Sequence, residues 1–200
     1  MTRLPTADHE AQARQRREAS KQAAERRLER ERGLARQAAE WLGDDLLEVI
    51  EFRGQLTVVC KPPRLHELLA WFKDELAFDM LVDATAVDYL KLEGDYPERF
   101  AVVYHLANTV REARLRVRAY VSEEDPTAPT AGDIWAAAGW AEREIYDMYG
   151  LEFEGHPNLI RILLPHEYSG HPLRKDYPLR GRGERDNFPV IRRGDAEAKA

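Results

Sequence analysis

The stretch ARLRVRAYV, residues 113–121, decides the fold class. Apolar residues alternate along it with arginines and a tyrosine, and a period of two is that of a strand with one buried and one half-exposed face. Two preceding runs, FDMLVDATAVDYL (78–90) and RFAVVYHLAN (99–108), are also rich in Val, Tyr and Phe, the residue types favoured in strands. We therefore expect three consecutive strands joined by hairpin-length connections.

Further strands and a helix are predicted upstream. Two extended runs, Glu48 to Phe52 and Gln55 to Cys60, flank Arg53-Gly54, which is a turn signal and predicts a hairpin. Pro62-Pro63 ends the second run and opens a helix over about residues 64–77, where apolar residues recur at helical spacing. This order of elements predicts an α+β domain in which helices pack on a mostly antiparallel sheet.

Two helices and an irregular segment are predicted downstream. Thr130 has the spacing of an N-cap for a short helix through residue 138. The segment WAEREIYDMYG (140–150) has apolar residues at the i, i+4, i+7 positions and ends in a glycine where a C-terminal cap belongs. Residues 150–179 have little regular period and much Gly and Pro. We expect them to form an irregular strap held by apolar anchors.

Charge divides the chain into three parts. Residues 1–38 are an Arg-rich extension that predicts an exposed charged helix or a disordered arm, while the whole chain has a net charge of -6. A basic arm on an acidic body can contact nucleic acid, lipid headgroups or an acidic protein, or it can be only a solvated tail. The folded domain is expected over residues 39–179, with its first helix closing near Gly43, and residues 180–200 are expected to be a polar mobile tail.

Cysteine content and hydropathy exclude several protein classes. The single cysteine, Cys60, excludes a disulfide framework, and it excludes iron–sulfur cages and Cys-type zinc sites made by this chain alone. The N-terminus lacks an apolar signal region, and no run approaches the roughly 18 uncharged apolar residues of a spanning helix. We expect a chain that is neither secreted nor integral to a membrane, in a reducing compartment.

Three histidines raise the question of a metal site. His156, His166 and His171 are separated by ten and five residues across Gly- and Pro-rich loops, whereas dedicated sites usually place ligands at short helical or strand spacing. Metal binding is therefore the weaker interpretation. We expect His156 and His171 to donate ring hydrogen bonds to backbone carbonyl groups that fix tight turns, with the following prolines setting the backbone direction.

Charged residues near the C-terminal end offer two further kinds of chemistry. Glu144 and Asp147 are one helical turn apart and have the residue types of a general acid and base, but the intervening Arg143 favours salt bridging or partner contact. Arg174 and Lys175 suit a phosphate clamp, yet no glycine-rich loop precedes a helix there. No nucleophile triad or nucleotide-binding motif is present in the sequence. Residue chemistry alone thus predicts no active site.

Two motifs carry a resemblance to a known family. EREIYDMYGLEFEGHPNLIRILLP (142–165) and GHPLRKDYPL (170–179) closely resemble the signature of the C subunit of the proton-translocating NADH:quinone oxidoreductase, respiratory complex I. The family pattern reads E-R-E-x-aromatic-D-hydrophobic-aromatic-G, then hydrophobic-x-F-x-G-H-P-x-L-x-R-hydrophobic-L, then G-H-P-L-R-K-D-aromatic-P, and every position is matched. The predicted strands and the loop after them also look like those of the family, so the resemblance covers about residues 41–179.

The resemblance implies a non-catalytic structural subunit of the hydrophilic arm of that complex, which transfers electrons from NADH to quinone. It implies docking on the large quinone-site subunit, with iron–sulfur subunits nearby. No cofactor is expected in this chain; FMN, iron–sulfur clusters and quinone are expected in partner subunits. The implied location is peripheral, on the cytoplasmic side of the bacterial cell membrane, with membrane association only through the complex and no nucleic acid.

The alternative is the equivalent subunit of a related membrane-bound hydrogenase or another quinone-linked oxidoreductase. A free-standing metal-dependent enzyme and a nucleic-acid-binding module are weaker hypotheses. The Arg-rich extension matches nothing in the family pattern. The resemblance assigns the following residues to bracing of the strap or to partner contact: Glu142, Arg143, Glu144, Asp147, His156, Arg161, His171, Arg174, Lys175 and Asp176.

Overall fold

A computed structural model describes residues 7–183, and of residues 7–10 the backbone only. Most of the predicted mobile tail, and the first six residues of the extension, lie outside the described residues. The elements are α1 (Ala7–Leu42), β1 (Leu46–Phe52), β2 (Gln55–Cys60), α2 (Leu65–Asp74), β3 (Met80–Asp88), β4 (Phe100–Asn108), β5 (Ala113–Val121), β6 (Thr127–Pro129), α3 (Ala136–Tyr149) and β7 (Glu152–Glu154).

Five strands form one sheet in the order β1-β2-β5-β4-β3. Neighbouring strands are antiparallel except β2 and β5, which pair in parallel. The predicted α+β class and mostly antiparallel sheet are therefore confirmed. The predicted hairpin is also confirmed, because Arg53 and Gly54 connect β1 to β2 with φ angles of 52° and 69°, the left-handed conformation that two-residue hairpin turns require.

One face of the sheet carries the main core. The apolar side chains of β5, such as Leu115 and Val117, point to this face and pack with Phe72 of α2 and with Phe100 and Tyr104 of β4. All these side chains are almost fully buried. The alternation in the stretch that decides the fold thus separates the covered face of the sheet from the face that carries the arginines.

Helix α1 runs without a break across the predicted boundary at residue 38. It has 36 residues and is therefore about 54 Å long. Residues 11–26 are exposed, as expected for a charged helix, whereas Leu34, Ala35 and Ala38 are buried against the sheet. The end of the extension belongs to the core, because these apolar residues recur on one face of the helix.

The prediction of two separate helices around Gly139 is wrong. Residues 132–134 form a turn, and a single helix runs over Ala136–Tyr149. Thr130 does not cap it, because its hydroxyl group donates to Glu142 and accepts from the N–H of Gly132 instead. Gly150 ends the helix in the left-handed conformation, with φ 74°, as predicted for a C-terminal cap.

The strap begins with β7, which pairs in parallel with β6. Residues 155–183 contain turns and bends but no helix or strand, in agreement with the predicted irregular segment. Leu151 and Phe153 are buried in the main core and anchor the beginning of the strap. Within residues 7–183, no helix is long and apolar enough to span a membrane.

The packing of α1 can be tested at Leu34, of which 6% is exposed. Leu34→Ala should lower the free energy of unfolding by about 2–4 kcal/mol, because it leaves a cavity between α1 and the sheet. Gln37→Ala, on the exposed side of the same helix, should change it by less than about 0.5 kcal/mol. Chemical denaturation measures both values. Equal values would show that α1 does not pack on the sheet.

Candidate functional site

Glu142 is a buried carboxylate that ties α3 to two other elements. Its side chain is 0% exposed. Its oxygens accept hydrogen bonds from the Tyr104 hydroxyl at 3.2 Å, from the Ala131 N–H at 2.7 Å and from the Thr130 hydroxyl. Burial, together with the charge of Glu142, holds the pKa of Tyr104 well above its ordinary value. Glu142 thus joins α3 to β4 and to the turn that precedes the helix.

Asp147 holds the strap against α3. Its side chain is also 0% exposed, and one carboxylate oxygen accepts the successive backbone N–H groups of Ile162, Leu163 and Leu164 at 3.0, 2.8 and 2.9 Å. The other oxygen accepts a bond from Arg161 Nη1 at 2.7 Å. Burial alone would raise the pKa of this carboxyl group, but these hydrogen bonds outweigh burial and the pKa lies below its ordinary value.

Arg161 and His171 brace the same junction through backbone carbonyl groups. Arg161 Nη1 also donates to the carbonyl oxygens of Asp147 and Gly170, at 3.2 and 3.1 Å, and His171 Nδ1 donates to that of Asp147 at 3.0 Å. Burial lowers the pKa of His171, although the bond to Asp147 opposes this effect. The ring packs so closely on Gly150 that a Cβ atom there would lie 2.7 Å from Nε2.

His156 fixes the other end of the strap. Its Nε2 donates to the carbonyl oxygen of Gly139 at 3.0 Å and its Nδ1 accepts the N–H of Asn158 at 3.0 Å. His156 and His171 therefore both donate ring hydrogen bonds to carbonyl groups, as predicted from the two Gly-His-Pro motifs. His166 is exposed. In the described part of the chain, no three His, Cys, Asp or Glu side chains are grouped closely enough to hold a metal ion.

Arg143 adds a third set of contacts between α3 and the strap. Its Nε donates to the carbonyl oxygen of Ile160 at 3.0 Å and its Nη2 to that of Arg161 at 3.2 Å. The guanidinium group also lies 5.1 Å from the ring centroid of Trp140, within the range of a cation–π contact. Arg143 therefore holds backbone groups of the strap and does not pair with the neighbouring acidic residues of its helix.

Arg99 joins the C-terminal end of the strap to the sheet. It pairs with Asp88, which is 1% exposed, and with Asp176 at 3.0 and 2.7 Å, and it also pairs with Glu123. Asp88 further accepts the N–H of Lys175 at 2.8 Å. Burial raises the pKa of Asp88, but the bonds from Arg99 and the backbone lower it more. The pKa of Asp176 is lowered mainly by the bond from Arg99.

The remaining predicted site residues differ in their surroundings. The Arg174 guanidinium lies 5.0 Å from the ring centroid of Phe100, and its Nε is buried without a hydrogen-bond partner among the described residues. The side chains of Glu144 and Lys175 are exposed, and neither forms an ion pair within residues 7–183. Five of the predicted residues, Arg143, Asp147, His156, Arg161 and His171, form hydrogen bonds that join α3 to the strap, whereas Glu144 and Lys175 face solvent. The assignment of the whole set to bracing or partner contact stays a prediction.

Sequence reasoning missed the partners supplied by the sheet. Asp88 ends β3 and Arg99 directly precedes β4, so the hairpin brings them together. Tyr104 lies within an apolar run, where the sequence predicts only a strand residue. The sequence did offer one signal for this pair, because an acidic residue ends one apolar strand and a basic residue directly precedes the next. A carboxylate at the edge of a core needs a partner.

An apolar groove opens between β3, α3 and the strap. We call it the docking groove, and its lining includes Val82, Trp140, Ala141, Ile162 and Leu163, together with the carboxylates of Asp83 and Glu144. Trp140, Leu163 and Val82 are 64%, 60% and 49% exposed. Contiguous exposed apolar side chains with a charged rim are typical of a protein interface. The same contacts that brace the strap place Ile162 and Leu163 beside α3.

Comparisons with known proteins agree with this architecture. The family model for the respiratory-chain NADH dehydrogenase 30 kDa subunit matches residues 58–183. The C subunit of NADH-quinone oxidoreductase from Citrifermentans bemidjiense is 48% identical over 136 residues, which are 68% of this chain and 82% of that protein. NADH-quinone oxidoreductase subunit 5 of Thermus thermophilus is 47% identical over 131 residues, 63% of either chain.

Two solved structures share the fold. A trypsin-resistant fragment, residues 1–134, of Nqo5 is 40% identical with a TM-score of 0.57, covering 66% of this chain and 99% of the fragment. A chain of the membrane-bound sulfane sulfur reductase, an archaeal respiratory membrane complex, is 26% identical with a TM-score of 0.63, covering 80% and 93%. The α+β fold is thus shared with components of respiratory complexes. The chain belongs to the family of the 30 kDa subunit of respiratory-chain NADH dehydrogenase, which is the C subunit of complex I.

Replacement of the central carboxylate tests the bracing. Asp147→Asn should lower the free energy of unfolding by about 3 kcal/mol, because Arg161 loses its charged partner in a buried site. Glu144→Gln, an exposed change on the same helix, should cost less than about 0.5 kcal/mol. Urea denaturation of the two variants at neutral pH gives the comparison. Similar small losses in both would show that Asp147 does not hold the strap.

The lowered pKa of Asp147 also predicts a dependence on pH. Its folded-state pKa lies below the ordinary value of 3.8, so its stabilising contribution is complete above that pH and is lost as the pH falls through the folded-state pKa. The free energy of unfolding of the native chain should therefore fall below about pH 4. Asp147→Asn should show a shallower fall, because Asp88, Asp176 and the other carboxyl groups of lowered pKa still contribute. Parallel profiles for the two chains would contradict this assignment.

Proposed function

We propose that this chain is a non-catalytic structural subunit of the hydrophilic arm of a proton-translocating NADH:quinone oxidoreductase. The observation that carries the proposal is the strap, in which the buried charged residues of the family signature bind groups of their own chain. A catalytic constellation needs a nucleophile, acid or base free to meet substrate. Glu142 and Asp147 instead accept hydrogen bonds that hold α3, the sheet and the strap together. These residues then serve to shape a surface.

The surface so shaped is the docking groove, and we propose that it binds the large quinone-site subunit. Its apolar lining and the neighbouring Glu144 give it the composition of an interface core with a polar rim. A permanent assembly buries more than about 2,000 Å² in total, which is more than the groove alone offers. We therefore propose that other exposed residues of the strap, such as Leu173, contribute to the same contact. By holding that partner, the subunit supports electron transfer from NADH to quinone without taking part in the chemistry.

Redox cofactors are proposed to lie in partner subunits, namely FMN, the iron–sulfur clusters and the quinone. The donor chemistry of this chain supports that division, because its one cysteine is buried in the core and burial raises the pKa of the Cys60 thiol to about 12. A thiol of this kind is a poor metal ligand. We further propose a peripheral location on the cytoplasmic side of the bacterial cell membrane, reached through the complex, and no role in binding nucleic acid.

The identity of the electron donor separates two versions of the proposal. Relatives that are C subunits of NADH-quinone oxidoreductases are 43–48% identical to this chain, whereas the chain from the sulfane sulfur reductase complex is 26% identical. This difference favours NADH over the alternative of a membrane-bound hydrogenase or another quinone-linked oxidoreductase. Affinity purification of the tagged chain from detergent-solubilised native membranes tests the choice. Recovery of NADH:quinone activity supports it, and recovery of hydrogenase subunits selects the alternative.

The docking groove makes a mutational prediction. Trp140→Ser combined with Leu163→Ser should lower the amount of assembled complex several-fold, because both side chains are largely exposed in the free chain and buried in the proposed contact. The isolated double variant should keep its secondary structure and thermal midpoint. Native gels of membranes, probed for this chain, measure assembly, and circular dichroism measures folding.

A matched control uses exposed apolar residues elsewhere. Leu47, on the opposite edge strand, and Val110, in the β4–β5 turn, are 46% and 87% exposed. Leu47→Ser combined with Val110→Ser removes comparable apolar surface and should leave assembly unchanged. Equal assembly of both double variants would rule out the docking groove as the contact with the complex.

A further inference from the structure

The second face of the sheet carries a row of arginines. Arg114, Arg116 and Arg118 alternate along β5 with core residues, and we call them the arginine row. The apolar residues of α1, α2 and α3 that form the core belong to the cluster on the other face. Only a small group around Tyr89 and Tyr120 packs on the arginine side. In the part of the chain that the structure describes, a helix borders this row only at its Arg114 end, where Arg27 and Glu31 of α1 line a pocket with Arg114 and Arg116.

The guanidinium groups of the arginine row form no ion pair within residues 7–183. Elsewhere in the chain, by contrast, Arg32, Arg99 and Arg161 each pair with at least one carboxylate. Asp83, an acidic residue of the neighbouring strands, does not form an ion pair with the row. Asp83 is in register with His105, and His105 in turn with Arg116, so a histidine separates this carboxylate from the row.

Glu31 of α1 reaches the end of the arginine row without pairing with it. Its carboxylate forms an ion pair with Arg27 and accepts the backbone N–H of Arg114. Burial raises the pKa of Glu31 above its ordinary value, although the hydrogen bond from the Arg114 N–H and the charges of Arg27 and Arg114 oppose this effect. Glu31 therefore serves the backbone of the strand, and the guanidinium groups remain available to a ligand.

Unsatisfied donors lie in the same place. The Nε atoms of Arg116 and Arg118 are buried without a hydrogen-bond partner among the described residues. Thr57 is in register with Arg116 on β2 and is 0% exposed, and its hydroxyl also lacks a partner there. Burial and the neighbouring charge of Arg118 both lower the pKa of Arg116. Such a cluster of buried, unpaired donors costs free energy unless a ligand satisfies it.

We propose that the arginine row binds an acidic segment of a protein partner within the same complex. This inference rests on the proposed function, because it adds a second contact to the one made by the docking groove. The two contacts use different chemistry, since the docking groove is apolar and the row is cationic. The subunit then joins two neighbours, or two parts of one neighbour, through different faces of its sheet.

Geometry favours carboxylates as the ligands. Alternate residues of a strand are about 6.6 Å apart on one face, which is also the spacing of alternate side chains in an extended acidic segment. Planar guanidinium groups bind carboxylates through paired hydrogen bonds. The chain as a whole has a net charge of -6, which opposes the approach of a long polyanion such as nucleic acid or of an anionic lipid surface. A short segment avoids most of that repulsion.

Zero-length cross-linking of the intact complex tests the proposal. Arg116→Lys and Arg118→Lys keep the positive charge and supply an amine, which a carbodiimide joins to a contacting carboxylate as an amide. The control is Arg111→Lys, an exposed arginine in the turn before β5. We expect mass spectrometry of the purified complex to identify cross-links from Lys at position 116 or 118 to Asp or Glu of another subunit, and none from position 111.

Charge reversal gives an independent measurement. Arg116→Glu combined with Arg118→Glu should release the chain from the purified complex at lower salt than the native chain, because like charges then face each other. Arg53→Glu combined with Arg111→Glu makes the same change in net charge at two exposed turns and should not. Circular dichroism of the isolated variants establishes that each is folded. Equal retention of both double variants overturns the proposal.

Other outcomes are also decisive. Cross-links only to carboxylates of this chain, such as Asp83, would overturn the proposal by showing an internal partner. Bound nucleic acid or lipid that is lost with the charge reversal, without a cross-link to protein, would overturn it in favour of that ligand. If the chain stays in the complex but its arginine row contacts no other subunit, this inference alone is overturned. If the chain never co-purifies with the complex, the proposed function is overturned as well.

Discussion

The carboxylate of Asp147 is the constraint on which the candidate site depends. It sits in the buried face of α3 and binds three successive N–H groups of the strap together with Arg161. An irregular segment has no ladder of its own to satisfy its backbone groups, so it needs such external partners. Once this carboxylate is in place, Arg143 has carbonyl groups of the strap to bind at fixed positions, and His156 and His171 of the strap bind carbonyl groups of α3.

A second buried carboxylate joins the C-terminal end of the strap to the sheet. Asp88 is a buried acceptor for Arg99 and for the backbone of Lys175, so carboxylates of regular elements hold the strap in its middle and at its C-terminal end. Carboxylates suit this task because each presents two oxygens, and several donors can converge on one group. The apolar groove beside α3 is a consequence of this arrangement. Its shape depends on charged residues that are themselves inaccessible to a partner.

Local sequence patterns predicted much of the fold, whereas contacts between residues far apart in the sequence could not be predicted. The alternation in β5, the turn at Arg53-Gly54 and the cap at Gly150 are local signals, and the structure follows them. The signature motifs indicated which residues matter, but their spacing could not show that Glu142 binds Tyr104 or that Arg99 meets Asp176, since 38 and 77 residues separate these pairs. The wrong cap at Thr130 has the same cause, because Glu142 captures its hydroxyl.

The parallel pairing of β2 with β5 has a consequence for synthesis of the chain. Val58 pairs with Val117, so the β1–β2 hairpin leaves the ribosome well before its central neighbour exists. Its inner edge is apolar and open during that interval, a condition that favours aggregation. Helix α1 is translated first and already carries Leu34 and Ala38 for the face of β2. It is therefore the element in position to shelter the nascent hairpin until β5 arrives.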